Sequence, residues 1–158
     1  MSADARIAEL NLELPPAPKP GGTYRPVVVT GNMAYVSGHG PLKTDKTLIT
    51  GRVGADLTEE EGKEAARVVG LGILATLQKH FGTLDNIVRT VKVLGMVNAA
   101  PDFQNHPAVI NGFSDLMAEV FGEDGIGARS AVGMGSLPGN IAVEIEAIFE
   151  IVPEYHGH

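Results

Sequence analysis

The spacing of apolar residues predicts two long helices. The first opens at residues 56–61 and runs to about Phe81, with apolar side chains recurring every three to four positions. Thr58 and Glu61 stand at the spacing of a capping box, which favours a helix start here. The predicted buried face consists of Ala66, Val69, Ile73 and Leu77.

This first helix carries three glycines, Gly62, Gly70 and Gly72. Each weakens an isolated helix by roughly 1 kcal/mol relative to alanine. We therefore expect the helix to pack very closely against another element, most simply a sheet.

The second helix is predicted to begin at Pro107, because the missing N–H of proline costs nothing in a first helical turn. Gly122 is predicted to end it. The apolar stripe of this helix consists of Val109, Phe113, Leu116, Met117 and Val120.

Strand patterns fill the rest of the chain. Residues 27–29 and 33–37 flank Gly31-Asn32, a strong hairpin signal, and further strands are predicted at residues 47–49, 86–97, 129–134 and 142–152. The order β-β-β-α-β-α-β-β predicts an α+β fold of two layers: a mixed sheet of about six strands with the two main helices on one face.

The other face of this sheet has no predicted cover. Residues 142–149 are apolar on more than one side of the strand, and an uncovered apolar face would be a large exposed patch. Self-association with cyclic symmetry is the simplest solution, so we expect a homo-oligomer.

The N-terminal segment differs from the body. Residues 3–9 predict a short helix, and the proline- and glycine-rich stretch 14–22 predicts an extended arm, because proline lacks the backbone donor. Such an arm is either a plain linker or lies on a neighbouring subunit. We therefore divide the chain into an N-terminal segment 1–23, one domain 24–152 and a tail 153–158.

Composition excludes several functions. The net charge of −7 argues against a surface that holds a phosphate backbone, so we expect no nucleic-acid partner. The absence of cysteine removes disulfides and thiolate nucleophiles. We see no secretory signal, no apolar run long enough for a membrane span, no metal-ligand spacing and no cofactor motif, and we expect a cytoplasmic protein without a cofactor.

The last quarter of the chain carries the candidate chemistry. Arg129 begins one apolar strand, and Glu144 lies within the next, on the same face as Glu146. A guanidinium can clamp a carboxylate through two charge-assisted hydrogen bonds, and a carboxylate can position a water. The alternatives are a structural salt bridge between Arg129 and an acid such as Glu146, and a solvated strand face for the glutamates.

The sequence resembles the reactive intermediate deaminase (Rid, or YjgF) family, in its longer YjgF/chorismate-mutase-like branch that carries an endoribonuclease label. The resemblance covers residues 24–152. It rests on Gly31-Asn32-Met33 with Val36-Ser37-Gly38, on the strand 88–97, and above all on Ala128-Arg129-Ser130, Leu137-Pro138 and Val143-Glu144-Ile145-Glu146-Ala147.

The resemblance implies a chorismate-mutase-like fold and a homotrimer whose sheets face inward, with a cleft between each pair of subunits. It also implies hydrolysis of 2-imino or enamine acids to 2-keto acids and ammonia. Arg129 matches the arginine that holds the substrate carboxylate, and Glu144 matches the water-positioning glutamate. Tyr24, Ser37 and Asn111 match further cleft positions, the last with a gap nearby.

Two positions depart from the deaminase pattern. Ala131 stands where many members have cysteine, and His39 stands where glutamine is usual. A backbone carbonyl at Ala131 would serve as well as one at cysteine, and imine hydrolysis needs no thiol. His39 is predicted to contact substrate or, alternatively, to face solvent from a loop; Tyr24 and Ser37 have the alternatives of a rim aromatic and a turn residue.

We therefore predict an imine deaminase whose Arg129 holds the substrate carboxylate. The main alternative is a trimer that binds small carboxylates without turnover. A ribonuclease is disfavoured by the acidic charge and by the lack of a catalytic histidine pair, and a chorismate mutase rests on fold analogy alone.

Overall fold

A computed structural model describes residues 1–153 of the chain. The helices in this range are α1 (Ala3–Glu9), α2 (Glu59–Phe81) and α3 (His106–Phe121). The strands are β1 (Val27–Thr30), β2 (Met33–His39), β3 (Ile87–Asn98), β4 (Ala128–Met134) and β5 (Val143–Ile151).

The five strands form one mixed sheet in the order β1-β2-β5-β3-β4. β3 and β4 are parallel, and the other neighbouring strands are antiparallel. Helix α2 contacts β1, β2 and β5, while α3 contacts β3 and β4, so the two main helices cover one face. The predicted two-layer α+β arrangement is confirmed.

The expectation of a sixth strand at residues 47–49 is wrong. Leu48 pairs with Leu42 through a single bridge, and Thr50 pairs in the same way with Ile141. Lys46 has a φ of 70° and Gly51 a φ of 122°, so left-handed backbone on both sides keeps the segment from extending into a ladder.

Local signals placed the other elements well. Thr58 and Glu61 form the complete capping box of α2, and Gly31, with a φ of 58°, makes the hairpin turn at which Thr30 pairs with Met33. The predicted apolar faces of α2 and α3 are buried.

The close packing expected of α2 occurs, but mainly against α3 rather than the sheet. A Cβ added at Gly70 would lie 2.8 Å from a methyl carbon of Leu116. Gly112 of α3 approaches the carbonyl of Lys63 so closely that no side chain would fit. Only Gly72, the third glycine of α2 named above, faces a strand residue, His39.

The two faces of the sheet differ in character. Along β5, residues 143, 145, 147, 149 and 151 are buried under the helices, whereas the alternate residues face away from them. This open face includes half-exposed Tyr35 on β2 and Val132 on β4. No helix among residues 1–153 covers this face, and the predicted homo-oligomer would bury it.

The N-terminal segment packs on its own body. The carboxylate of Asp4 in α1 accepts hydrogen bonds from the Thr83 hydroxyl and from the Leu84 N–H. Leu12 and Leu14 then pack against the core. The segment is thus an ordered strap rather than a free linker; most of the predicted C-terminal tail lies outside the described residues. None of the helices in residues 1–153 is long and apolar enough to cross a bilayer.

Candidate functional site

Arg129 lies on the edge strand β4, on the side that faces α3. Its Nη1 donates hydrogen bonds to Asn111 Oδ1 at 2.7 Å and to Ser114 Oγ at 3.2 Å. Within residues 1–153 no carboxylate lies within ion-pair distance of this guanidinium, so the predicted alternative of a salt bridge with Glu146 is not formed. Neutral partners hold Arg129 in place and leave its charge for a ligand.

Helix geometry explains this arrangement. Asn111 and Ser114 are three residues apart on α3, so their side chains share one helix face. Asn111, which the resemblance matches to a cleft position, thus lies against Arg129. Ser114 was missed from the sequence, although its spacing from Asn111 was a usable signal. Ala131, two residues along β4, lies on the same side as Arg129 and packs partly against the core.

Tyr24, Ser37 and His39 lie together elsewhere, around a cleft of about 510 Å³. The cleft is bounded by the N-terminal arm, by the end of β2 and by the turn before β5. The Tyr24 hydroxyl accepts a hydrogen bond from the Gly21 N–H at 3.1 Å, and the Ser37 hydroxyl donates to the Arg25 carbonyl at 2.6 Å. The structure therefore brings three of the predicted site residues to one place.

His39 is buried, with 5% of its surface exposed, so the alternative of a solvent-facing loop histidine is wrong. Nδ1 lies 2.7 Å from the Ser37 carbonyl oxygen, and Nε2 lies 2.7 Å from Thr76 Oγ1. Because a carbonyl only accepts, Nδ1 carries the proton and Nε2 accepts from the Thr76 hydroxyl. Burial lowers the pKa of His39, and the Ser37 carbonyl opposes this more weakly.

These hydrogen bonds give His39 a structural role. Both ring nitrogens are occupied, so the neutral ring fastens the end of β2 to α2 and presents only its carbon edge to the cleft. Thr76, which no sequence pattern singles out, is the partner of His39 on α2.

Glu144 lies on the open face of the sheet, against the backbone of Gly38. A Cβ added at Gly38 would collide with Glu144 Oε2, and Gly38 itself lines the cleft. The carboxyl group therefore lies beside one residue of the cleft lining, although Glu144 is not itself part of that lining. Burial raises the pKa of Glu144, and the negative charge of Glu146 on the same face raises it further.

One chain does not bring Arg129 and Glu144 together. Glu144 pairs across the sheet with Met96, and Met96 pairs with Val132. Val132 is three residues from Arg129, and alternate residues of a strand point to opposite faces, so the two charged groups leave opposite faces of the sheet. Arg129 is not among the residues that line the cleft beside Tyr24, Ser37 and His39.

Residues 1–153 contain no cluster of side chains that could hold a metal ion. No group of three or more histidine, aspartate or glutamate side chains converges there. The chemistry available to the site is that of an arginine, a carboxyl group and backbone dipoles.

A five-stranded mixed sheet covered on one face by two helices, with an arginine on the edge strand β4 and a glutamate on β5, defines a class of α+β proteins. The family model described as "YjgF/chorismate_mutase-like, putative endoribonuclease" matches residues 4–149. The chain belongs to this YjgF/chorismate-mutase-like (Rid) family.

Three relatives illustrate the range of the match. The chain is 40% identical to Protein TCP17 of Trypanosoma cruzi, over 93% of this chain and 92% of that protein. It is 41% identical to the crystal structure of protein Atu1372 from Agrobacterium tumefaciens, of unknown function, with a TM-score of 0.85 and coverage of 94% and 91% of the two chains. It is 28% identical to the 2-iminobutanoate/2-iminopropanoate deaminase of Dermatophagoides farinae, over 89% and 94%.

Proposed function

We propose that this protein hydrolyses 2-imino acids to 2-keto acids and ammonia, in sites that two copies of the chain complete. The observation that supports the proposal is that one chain carries two complementary half-sites. One half is a guanidinium held by neutral side chains, and the other is a cleft edged by a carboxyl group of raised pKa. The relative from Dermatophagoides farinae is named for this reaction.

Arg129 supplies recognition of the substrate carboxylate. A guanidinium presents two parallel N–H groups that match the two oxygens of a carboxylate. Asn111 and Ser114 occupy Nη1 and fix the plane of the guanidinium, which limits the freedom lost on binding.

Glu144 exchanges protons with the attacking water and with the substrate nitrogen. As water attacks the carbon of the protonated imine, it loses a proton to the Glu144 carboxylate, and a tetrahedral amino alcohol forms. The carboxyl group then returns the proton to the nitrogen, and as the C–N bond breaks the hydroxyl group gives its own proton to the Glu144 carboxylate. The carbonyl forms, and ammonia leaves and takes that proton as ammonium. A carboxyl group with a raised pKa suits both steps, since it accepts and gives up a proton closer to neutral pH.

The separation of the two half-sites within one chain supports the part we propose for a second copy. Arg129 leaves the helix-covered face of the edge strand β4, whereas Glu144 and the cleft lie at β5 and the end of β2, across the intervening strand β3. A cyclic homotrimer with its open sheet faces inward would cover Tyr35 and Val132, and would let β4 of one copy approach the cleft of the next.

The test is hydrolysis of imino acids generated in place by an amino-acid oxidase. The protein should accelerate keto-acid and ammonia release above the spontaneous rate. The same rate with and without the protein, across several imino acids, would refute the proposal.

A carboxylate-binding protein without turnover is the second candidate. It is favoured by the occupied nitrogens of His39, which leave Glu144 as the only cleft-edge group within residues 1–153 with a pKa shifted towards neutral pH. Such a protein would gain thermal stability from 2-keto acids, which bind only the native state, and would leave imine lifetimes unchanged.

A further inference from the structure

The cleft is larger than a small imino acid requires. Its volume of about 510 Å³ falls within the range of roughly 300–1,000 Å³ typical of small-molecule sites. At roughly 30 Å³ per heavy atom, the share of one water in the liquid, a four-carbon imino acid would fill only about 200 Å³. More than half of the space would remain for a longer side chain.

The walls of this space are apolar. They are formed by side chains from four parts of the chain: Pro18, Pro20, Pro26, Leu42, Leu48 and Ile141. Burying methylene groups among such side chains favours binding, whereas a polar group there would lose its hydrogen bonds to water.

Most polar side chains that line the cleft already have hydrogen-bond partners within the protein. The Ser37 hydroxyl donates to the Arg25 carbonyl, and both nitrogens of His39 are occupied. The Tyr24 hydroxyl accepts from the backbone of Gly21. Lys19, which lies between Pro18 and Pro20 in the arm, is exposed to solvent. The cleft therefore offers a ligand side chain few free hydrogen-bond partners.

The N-terminal arm makes one wall of the cleft stiff. Pro18 and Pro20 have fixed φ angles, so this wall has little backbone freedom. The strap that carries them is tied down upstream, where Asp4 binds Leu84 and where Leu12 and Leu14 pack on the core. A preformed wall selects ligands by shape.

We propose that the site takes 2-imino acids with bulky apolar side chains, branched or aromatic, in preference to those with one or two side-chain carbons. This inference rests on the proposed function. The substrate carboxylate lies towards the mouth, where Arg129 of a second copy enters, and the apolar side chain lies against Pro20, Leu48 and Ile141.

The experiment compares kcat/KM for the imines of alanine, 2-aminobutyrate, leucine and phenylalanine, each formed in place by an amino-acid oxidase. The variants are Leu48→Trp, which fills the cleft from a half-exposed position, and Leu10→Trp, a control at the end of α1 outside the cleft. Calorimetry measures binding of the four corresponding 2-keto acids in parallel.

We expect the leucine- and phenylalanine-derived imines to show kcat/KM at least about tenfold above the alanine-derived imine. Leu48→Trp should remove most of this preference, and Leu10→Trp should keep it. Equal or better turnover of the small imines would overturn the substrate class while leaving the deaminase proposal intact.

Absence of any imine hydrolysis would refute the deaminase proposal, and keto-acid binding then decides the inference. Binding of 4-methyl-2-oxopentanoate and phenylpyruvate about tenfold tighter than pyruvate, lost in Leu48→Trp, would support an apolar specificity cleft. Equal affinities for all four keto acids would overturn it.

Discussion

Arg129 and Glu144 leave opposite faces of one sheet, with the strand β3 between the two strands that carry them. This relationship divides the candidate site into two halves. The guanidinium half is built on β4 and α3, and the cleft half on β2, the N-terminal arm and β5. Each half can be tested by its own variants, and a mixture of variants tests whether two copies combine them.

Removal of the guanidinium should abolish carboxylate recognition. Truncating one partner of a hydrogen-bonded charge pair commonly costs about 2–5 kcal/mol, so we expect Arg129→Ala to lower kcat/KM by roughly 100-fold or more. Arg129→Lys should recover only part of this, because an ammonium lacks the planar fork. Lys43→Met, which removes an exposed cation outside the cleft lining, serves as the control and should retain most activity.

Steady-state kinetics and light scattering provide the measurements. An unchanged kcat/KM in a correctly assembled Arg129→Ala protein would exclude Arg129 as the anchor.

Replacing Glu144 should affect activity and stability in opposite directions. Glu144→Gln removes the proton acceptor, and we expect kcat to fall by about 100-fold or more. Because the native pKa of Glu144 is raised, folding disfavours its charged form, and the resulting destabilisation grows as pH rises above the unfolded value of 4.5. Glu144→Gln should therefore melt at a higher temperature than the wild type at pH 7, with the difference vanishing below about pH 4.5.

Glu146→Gln is the matched control on the same face of β5. It should keep activity, since Glu146 only adds to the shift of Glu144. A Glu144→Gln protein with full activity, or with a lower melting temperature at pH 7, would contradict the assigned role.

A methyl group at Gly38 should disturb the site locally. Its Cβ would collide with Glu144 Oε2, so Gly38→Ala must displace the carboxylate. We expect kcat to fall by about tenfold or more with the fold retained, because small misplacements of a catalytic group are costly. Gly135→Ala, where an added Cβ meets nothing within 4 Å, is the control and should be neutral.

His39 should make the protein sensitive to acid. The pKa of His39 in the native state lies below the ordinary value of 6.5. The unfolded chain therefore binds a proton at this residue more readily than the native state does. The stabilising contribution of neutral His39 to the free energy of unfolding is complete above pH 6.5, and it is lost as the pH falls below this value. Burial also lowers the pKa of His80, so urea unfolding of His39→Gln and His80→Gln should each show a smaller loss between pH 7 and 5.

Thr76→Val tests the hydrogen bond that holds the ring. It leaves Nε2 of His39 buried without a donor, and we expect a loss of about 1–3 kcal/mol at pH 7. A pH dependence of unfolding identical in wild type and His39→Gln would show that the ring is not held neutral.

Local signals in the sequence predicted most elements but not how distant parts meet. The capping box at Thr58 and the hairpin at Gly31 act within a few residues, so they placed α2 and the β1–β2 hairpin correctly. Residues 47–49 have strand-like composition, yet the left-handed backbone at Lys46 and Gly51 leaves them only single bridges.

The candidate site was predicted in type but not in geometry. Arg129 and Glu144 were candidates from the residues themselves, and the family resemblance added the other site residues. Sequence spacing alone could not show that β3 inserts between β4 and β5. That insertion sets the register, and the register puts Arg129 and Glu144 on opposite faces. The Thr76 partner of His39 is thirty-seven residues away and belongs to another element, so no local pattern announces it.

Complementation between two inactive variants tests the central claim most directly. Arg129→Ala and Glu144→Gln chains are unfolded together, refolded as a mixture and assayed against each variant refolded alone. If each site takes Arg129 from one copy and Glu144 from the next, random mixing leaves both groups intact in about one quarter of the sites, and roughly a quarter of wild-type activity should return. A mixture no more active than its parents, although light scattering shows mixed oligomers, would contradict a site shared between copies.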